Sequence, residues 1–456
     1  MKIVLTTHVF LPDHSAGTEI LTFNTAKELQ RLGHHVEICT GLPKQFGLPD
    51  SQRFDTYEYE GINVHRFLHD KAPMGEQSNV AEAEYNNIFF ARWFRSYLKQ
   101  FKPDIVHCFH LGLLSASCID VCHELNIPIV MTPTDFWLIC PNNQLRLYDN
   151  SLCTGPDKNS VNCIKHGVYN NQPKYIGRMF SKLPDWIVSA MVFALNKNIF
   201  SKIWFTPMVR ALHQRADFLK QRMNMLDRVV VPTNLMERIL VSNGLLQEKV
   251  VFCRYGIDPT KFAPKKRLQN DDRILRIGFI GGISEHKGAH ILINAIKLLP
   301  SNIPLKVKIY GRQTDFPKYF DKLLCLANND PRIHFCGTFQ NSLINSILSE
   351  IDVLVVPSIW YENTPLVIYS AQAVNCPVIA SNLGGISEVI HHKKNGLLFK
   401  AGDIADLAHT LDQLIQDRGL LEGLSQNSIQ PKPISQYAEE LIDIYDKTMS
   451  GGKGYT

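Results

Sequence analysis

Short apolar runs alternate with helix-like stretches from the start of the chain. Residues 3–7, 35–40, 62–67, 105–109, 129–132 and 229–231 read as strands. A second series begins at 250–253 and continues through 274–280, 305–310, 333–336, 353–356, 378–380 and 397–399. Such βα alternation predicts mostly parallel sheets, and two series predict two doubly wound α/β domains. The polar, charged stretch 264–273 reads as a surface connection, so the exchange between domains is expected between residues 231 and 273. The expected division is a first domain over 1–240, a second over 241–430, and a terminal helix crossing back to the first domain, with a tail, over 431–456. The helix is read at about 435–449, and the tail GGKGYT as unstructured.

Composition changes this picture in two places. With 456 residues, 45% of them apolar and 20% charged, the chain has core enough for two large domains and no repeat or low-complexity tract. Eleven cysteines, scattered through strand and helix patterns as at Cys39, Cys108, Cys253 and Cys336, fit free thiols in a reducing compartment. The first residues, MKIVLTTHVF, enter a strand pattern without a charged-then-apolar leader, which predicts a cytoplasmic protein. The net charge of +5 is modest, yet eleven Lys and Arg face three Asp between Lys165 and Arg228. That segment is a candidate contact for an anionic membrane surface, whereas nucleic acid is not an expected partner. Its longest apolar run, Trp186 to Leu195, is far below the roughly 20 residues that span a bilayer. Ile199, Phe200, Ile203, Trp204 and Phe205 extend the apolar character, interleaved with Lys182, Lys197, Lys202 and Arg210. This fits either a helical hairpin closing the first domain or an interfacial helix.

The candidate chemistry gathers in loops after strands. Run 353–356 is continuously apolar, as a strand buried on both faces requires, and Pro357-Ser358 ends it. A loop carrying Glu362 follows, then Thr364 as a helix cap, Pro365 in the first turn, and Leu366 beyond. The next strand leads to Gly384-Gly385, where bare amides meet a helix start. After strand 274–280 comes GGISEHKG, which places Lys287 at a helix entrance beside free amides. After the first strand, Gly17 sits at another helix start, where no Cβ blocks an anion. His110 and Asp135 each follow a strand, at the carboxyl edge where open α/β sheets bind ligands. Cys140, Cys153, Cys163 and His166 share one Asn-rich insertion and offer a tetrahedral zinc set, the alternative being unliganded thiols.

The stretch from Glu362 to Ser370 resembles the signature of glycosyltransferase family 4. In that signature a Glu, a Gly or Pro three positions on, and a second Glu eight positions after the first contact donor sugar and ribose. Glu362 and Pro365 match it, and Ser370 departs from it. FIGGISEHKG, Gly17 with Ala16 before it, and Gly337-Thr338 also resemble the family's loops. The resemblance implies a GT-B architecture, two Rossmann-like domains facing a central cleft, and a retaining hexosyltransferase. It implies Lys287 and the Gly17 loop holding the diphosphate of a UDP- or GDP-linked sugar, Glu362 holding sugar hydroxyls, and His110 and Asp135 orienting substrate. Thr364, Leu366, Gly337 and Thr338 would contact the donor. Arg312 would stand in for the Arg that many relatives carry at the position of Gly282. It implies a glycan or lipid-linked glycan acceptor and no cofactor required for catalysis. The alternative is a non-catalytic nucleotide-sugar-binding or scaffold protein in polysaccharide assembly, kept open by Ser370 and Gly282.

Overall fold

The computed structural model describes residues 1–196, 206–264 and 274–451. The second half of the apolar segment, from Lys197 to Phe205, most of the 264–273 connection and the last five residues lie outside the described residues. The chain divides into two compact units, one made of Met1–Arg254 with the stretch from Tyr437 onward, the other of Tyr255–Gln436. The exchange therefore falls at 254/255, not at 240/241, and the second unit runs on to Gln436 rather than to residue 430.

Among the described residues the first unit is built on eight strands: β1 (Lys2–Thr7), β2 (His35–Leu42), β3 (Phe54–Tyr59), β4 (Ile62–Leu68), β5 (Ile105–Cys108), β6 (Ile129–Met131), β7 (Arg228–Val231) and β8 (Val250–Phe252). They lie in the order β3-β4-β2-β1-β5-β6-β7-β8. All neighbours pair parallel except β3 with β4. That pair is a hairpin turned by Glu60 and Gly61, both at positive φ. The apolar runs of β1 and β5 are buried along nearly their whole length, as a sheet covered on both faces demands. Leaving β3 aside, succession along the sheet reverses between β1 and β5, which makes the carboxyl ends of those two strands the switch point.

The second unit holds β9 (Leu275–Ile280), β10 (Leu305–Tyr310), β11 (Ile333–Gly337), β12 (Val353–Val356), β13 (Val378–Ser381) and β14 (Gly396–Phe399). Their order is β11-β10-β9-β12-β13-β14, all parallel. Its switch point lies between β9 and β12. Helix Ala289–Leu298 buries Ile291, Leu292, Ile293, Ala295 and Ile296 in the core with Ile277, Phe279, Val307 and Val355 of the sheet.

Two strand expectations need correction. Residues 250–253 do not open the second series: β8 pairs parallel with β7 as the edge of the first sheet. β3 was not foreseen, because FDTYEY is half polar and mostly only half buried, as an edge strand is.

Candidate functional site

In the second unit, the chain leaves β9 through Gly281 to Ser284 and makes one 3-10 turn, Glu285–Lys287. Gly288 then enters the next helix at φ +77°. A Cβ on Gly288 would stand 1.9 Å from the Pro357 carbonyl oxygen, so the loop after β9 rests directly on the loop after β12. The amide of Ile359 donates to the His286 carbonyl at 2.9 Å and holds the two loops together. This contact brings Lys287 and Glu362 side by side. The Lys287 ammonium donates to Glu362 Oε1 at 2.7 Å, Ser358 Oγ donates to the same oxygen at 2.8 Å, and Lys287 Nζ stands 4.9 Å over the Trp360 ring. The Gly385 amide donates to the Glu362 carbonyl, tying in the loop after β13. Burial alone would raise the Glu362 carboxyl. The Lys287 charge, then the hydrogen bonds from Lys287 and Ser358, outweigh it and hold the group below the usual carboxylate range.

The other expected donor residues are placed unevenly. Gly282 has nothing within 4 Å of where a Cβ would be, so a side chain fits there. Arg312, about half exposed, lies 4.0 Å from Asp315. Gly337 ends β11 at φ +70° and accepts the Gly311 amide at 2.8 Å, with Thr338 next in the chain. Thr364 does not cap the helix Leu366–Ala373: the cap position is Pro365, and the Thr364 hydroxyl is buried without a hydrogen-bond partner among the described residues. Leu366 opens that helix. Ser370 Oγ is turned back onto the Leu366 carbonyl at 3.1 Å, a bond within the helix.

The first unit gathers a second polar cluster at its own switch point. His110 Nδ1 accepts the Gly112 amide at 2.8 Å, so the proton of the neutral ring sits on Nε2, which donates to Asp135 Oδ2 at 2.9 Å. Asp135 Oδ1 accepts the Trp137 amide, so the residue is a turn former as well as a site group. Burial would raise Asp135, but the neighbouring His110, by charge and hydrogen bond, keeps it below its ordinary value. Gly17 begins helix Gly17–Arg31, whose cap residue Ala16 offers no side-chain hydrogen bond to the first amides. One residue on, Thr18 Oγ1 donates to Thr134 Oγ1 at 2.9 Å.

Two members of this cluster escaped the sequence reading. His8, which follows β1, lies with its ring centred 4.3 Å from the His110 ring and tilted 44° to it, and its Nε2 lies 3.5 Å from Glu19 Oε1. Burial and then the neighbouring His110 push His8 down to about 3, while burial pushes Glu19 up to about 7. Glu19 is 1% exposed, and among the described residues its Oε2 has no hydrogen-bond partner. A Glu in a first helical turn ordinarily reads as a complement to the helix dipole, which hid it. His8 sits after β1 as His110 sits after β5, and that parallel was the available signal.

A carboxyl whose folded value lies above its unfolded 4.5 stabilises the fold below 4.5 and loses that contribution as pH rises through about 7. At 1.36 kcal/mol per pH unit, ionising Glu19 costs the fold roughly 3 kcal/mol. Glu19→Gln should therefore gain stability relative to the parent as pH rises from 5 to 8, by up to roughly that amount. Thermal melts of both chains across this range check it; parallel curves would remove the buried acid from the account.

Comparison with known proteins adds family to geometry. Residues 260–430 match the family described as glycosyl transferases group 1, and residues 15–152 match glycosyltransferase family 4. This chain is a family 4-like member of the GT-B glycosyltransferases. A sulfoquinovosyl transferase of Arabidopsis thaliana is 25% identical over 336 residues, covering 71% of this chain and 52% of that protein. The chain spans between 42% and 63% of the length of the first curated relatives it matches. A sucrose-phosphate synthase from Thermosynechococcus elongatus aligns with a TM-score of 0.68 at 16% identity, over 99% of both chains. Anabaena HepE, solved in complex with UDP and glucose, aligns with a TM-score of 0.66 at 15% identity, over 98% of this chain and 100% of that one. At such identity the likeness is one of fold.

In this family 4-like chain the expected zinc set does not form. Among the described residues no group of three or more His, Cys, Asp or Glu is placed to hold a metal ion. Cys140 Sγ bonds to Asn142 Oδ1, Cys153 bonds around the Gly155 backbone, and the Asn142 and Asn170 amides take His166 Nε2. Burial raises the Cys163 thiol, aided by the neighbouring Cys140 and Cys153, so thiolate, the form a metal binds, is disfavoured there. Asn142, Asn162 and Asn170 thus occupy Cys140 Sγ, Cys153 Sγ and His166 Nε2 where a metal would have to bind.

Proposed function

We propose that the chain transfers a hexose from a UDP- or GDP-linked donor to a glycan or lipid-linked glycan acceptor with retention of configuration. One observation carries this reading. Lys287 and Glu362 leave the two strands that flank the switch point of the second sheet, and they meet there at 2.7 Å. An ammonium fixed at the end of the β9 loop, directly before the helix Ala289–Leu298, suits a departing diphosphate, whose developing charge must be neutralised for the glycosidic bond to break. Glu362, kept ionised by Lys287 and Ser358, is an acceptor for sugar hydroxyls once a phosphate competes for the lysine. His110 and Asp135 of the first unit supply the polar groups that would orient substrate. The His110 ring nitrogens are both engaged, so a general-base role would require it to leave Gly112. The leaving phosphate is then the proton acceptor, as front-face retention needs.

A second reading, a non-catalytic nucleotide-sugar-binding or scaffold protein, is favoured by Ser370, whose hydroxyl is spent on its own helix. Incubation with a panel of UDP- and GDP-sugars and glycan acceptors, scored for transfer and donor hydrolysis, separates the two. Nucleotide binding without turnover of any donor would favour the scaffold. Gly282→Arg offers a finer check, since that position is open. An added guanidinium near the diphosphate should tighten UDP or GDP binding by about tenfold at low salt, measured by calorimetry, and the gain should fade at high salt. Unchanged affinity would mean the diphosphate lies elsewhere.

A further inference from the structure

We propose that the helices Lys174–Ser181 and Asp185–Asn196 form a surface by which the first unit docks onto an anionic lipid bilayer. Tyr175, Met179, Trp186 and Phe193 are 67%, 70%, 72% and 63% exposed. They are not scattered. Tyr175, Arg178, Met179 and Lys182 recur at i, i+3, i+4 and i+7, and Trp186, Ala190 and Phe193 at i, i+4 and i+7, so each set lies along one side of its helix. The opposite sides already meet the demands of the fold: Phe180, Val188, Val192 and Leu195 pack with Val161, Ile164, Val168 and Val209 in a small core of their own. Helix Asp185–Asn196 thus carries an apolar stripe, Trp186, Ala190 and Phe193, that the described residues leave exposed opposite its core-facing side, an arrangement that calls for a second apolar environment.

Charge selects the partner. Lys174, Arg178 and Lys182 are exposed beside the large apolar side chains, and the one acid of these helices, Asp185, is paired with Lys165 at 2.5 Å. Apolar side chains among cations fit an interface of acyl chains under anionic headgroups. A second copy of the same surface would set these cations against one another, which argues against self-association. Among the described residues no helix is long and apolar enough to cross a membrane, so the contact is with one leaflet surface. The proposal is independent of donor chemistry, and its test contains no donor, so failure of one leaves the other standing.

Flotation of the full chain with vesicles of phosphatidylcholine alone, and of phosphatidylcholine mixed with phosphatidylglycerol, reads the contact. Binding should require phosphatidylglycerol and weaken as ionic strength rises from about 0.1 M to about 1 M, where screening shortens from ~10 Å to ~3 Å. Arg178→Glu with Lys182→Glu should lower the bound fraction at least about tenfold. Trp186→Ser with Met179→Ser should lower it several-fold at low salt, while Lys394→Glu, an exposed change in the second unit, should not. Thermal melts establish that the variants are folded. Absent flotation, equal flotation with neutral vesicles, or binding unchanged in both double variants would overturn the proposal. So would conversion of a dimer to a monomer by Trp186→Ser, since a second copy would then be the occupant.

Discussion

Replacing Lys287 by alanine is expected to lower the rate of sugar transfer by about 10²- to 10³-fold, the usual consequence of removing one group that stabilises transition-state charge. The side chain is about a quarter exposed and fills no core, so the second unit should remain folded. It should lose some stability, of the order of 1–3 kcal/mol, because Glu362 is only 7% exposed and keeps Ser358 as its remaining side-chain donor at hydrogen-bond distance. Lys287→Arg, which retains charge with a different donor geometry, should recover part of the rate. Single-turnover measurements on folded variants test the role. Turnover near that of the parent in the alanine variant would take the lysine out of leaving-group chemistry.

Gly288→Ala is expected to do comparable damage without removing any chemical group. The residue sits at φ +77°, and its new Cβ would meet the Pro357 carbonyl oxygen at 1.9 Å and its carbon at 2.8 Å. Backbone cannot yield as a flexible side chain can. Either the loops after β9 and β12 separate, breaking the Ile359 to His286 hydrogen bond and pulling Lys287 from Glu362, or the helix start unwinds. A loss of roughly 2–4 kcal/mol together with most of the transfer activity is the expected result. Gly282→Ala, a few residues earlier and in open space, is the matched control and should change neither. Equal behaviour of the two alanine variants in thermal melts and transfer assays would show that the close approach does not hold the site together.

What could be read from sequence follows from how local each signal is. Continuous apolar runs such as Val353–Val356 announce buried parallel strands by themselves, and Lys287 and Glu362 stood out because glycines and a loop-opening proline frame them. Which sheet a short run joins is not a local property. Val250–Phe252 is apolar enough for either, and only its pairing with β7 assigns it to the first unit. The His8 and Glu19 pair was hidden for a related reason. Each residue has an ordinary local explanation, and their burial beside His110 appears only when the β1 and β5 loops are brought together. The cysteine insertion erred in the opposite direction. Residue types suited a metal, but asparagine amides compete for the same ring nitrogen and thiol, and spacing carries no record of that competition.

The order in which the polypeptide is made runs against the order in which its parts are completed. Tyr255–Gln436 is one contiguous stretch with all six strands of its sheet, so a ribosome has delivered the whole second unit before Tyr437 is added. The first unit, although its strands emerge earliest, still lacks the helix Ile434–Gly451 at that moment. Tyr445 of that helix is fully buried, and its hydroxyl lies 2.5 Å from Nδ1 of His107 on β5, a ring that burial holds down to about 3. The other ring nitrogen of His107, Nε2, meets Thr132 Oγ1 at 2.8 Å. The side chains that complete the interior of the first unit are therefore the last to be synthesised, after every residue of the second unit.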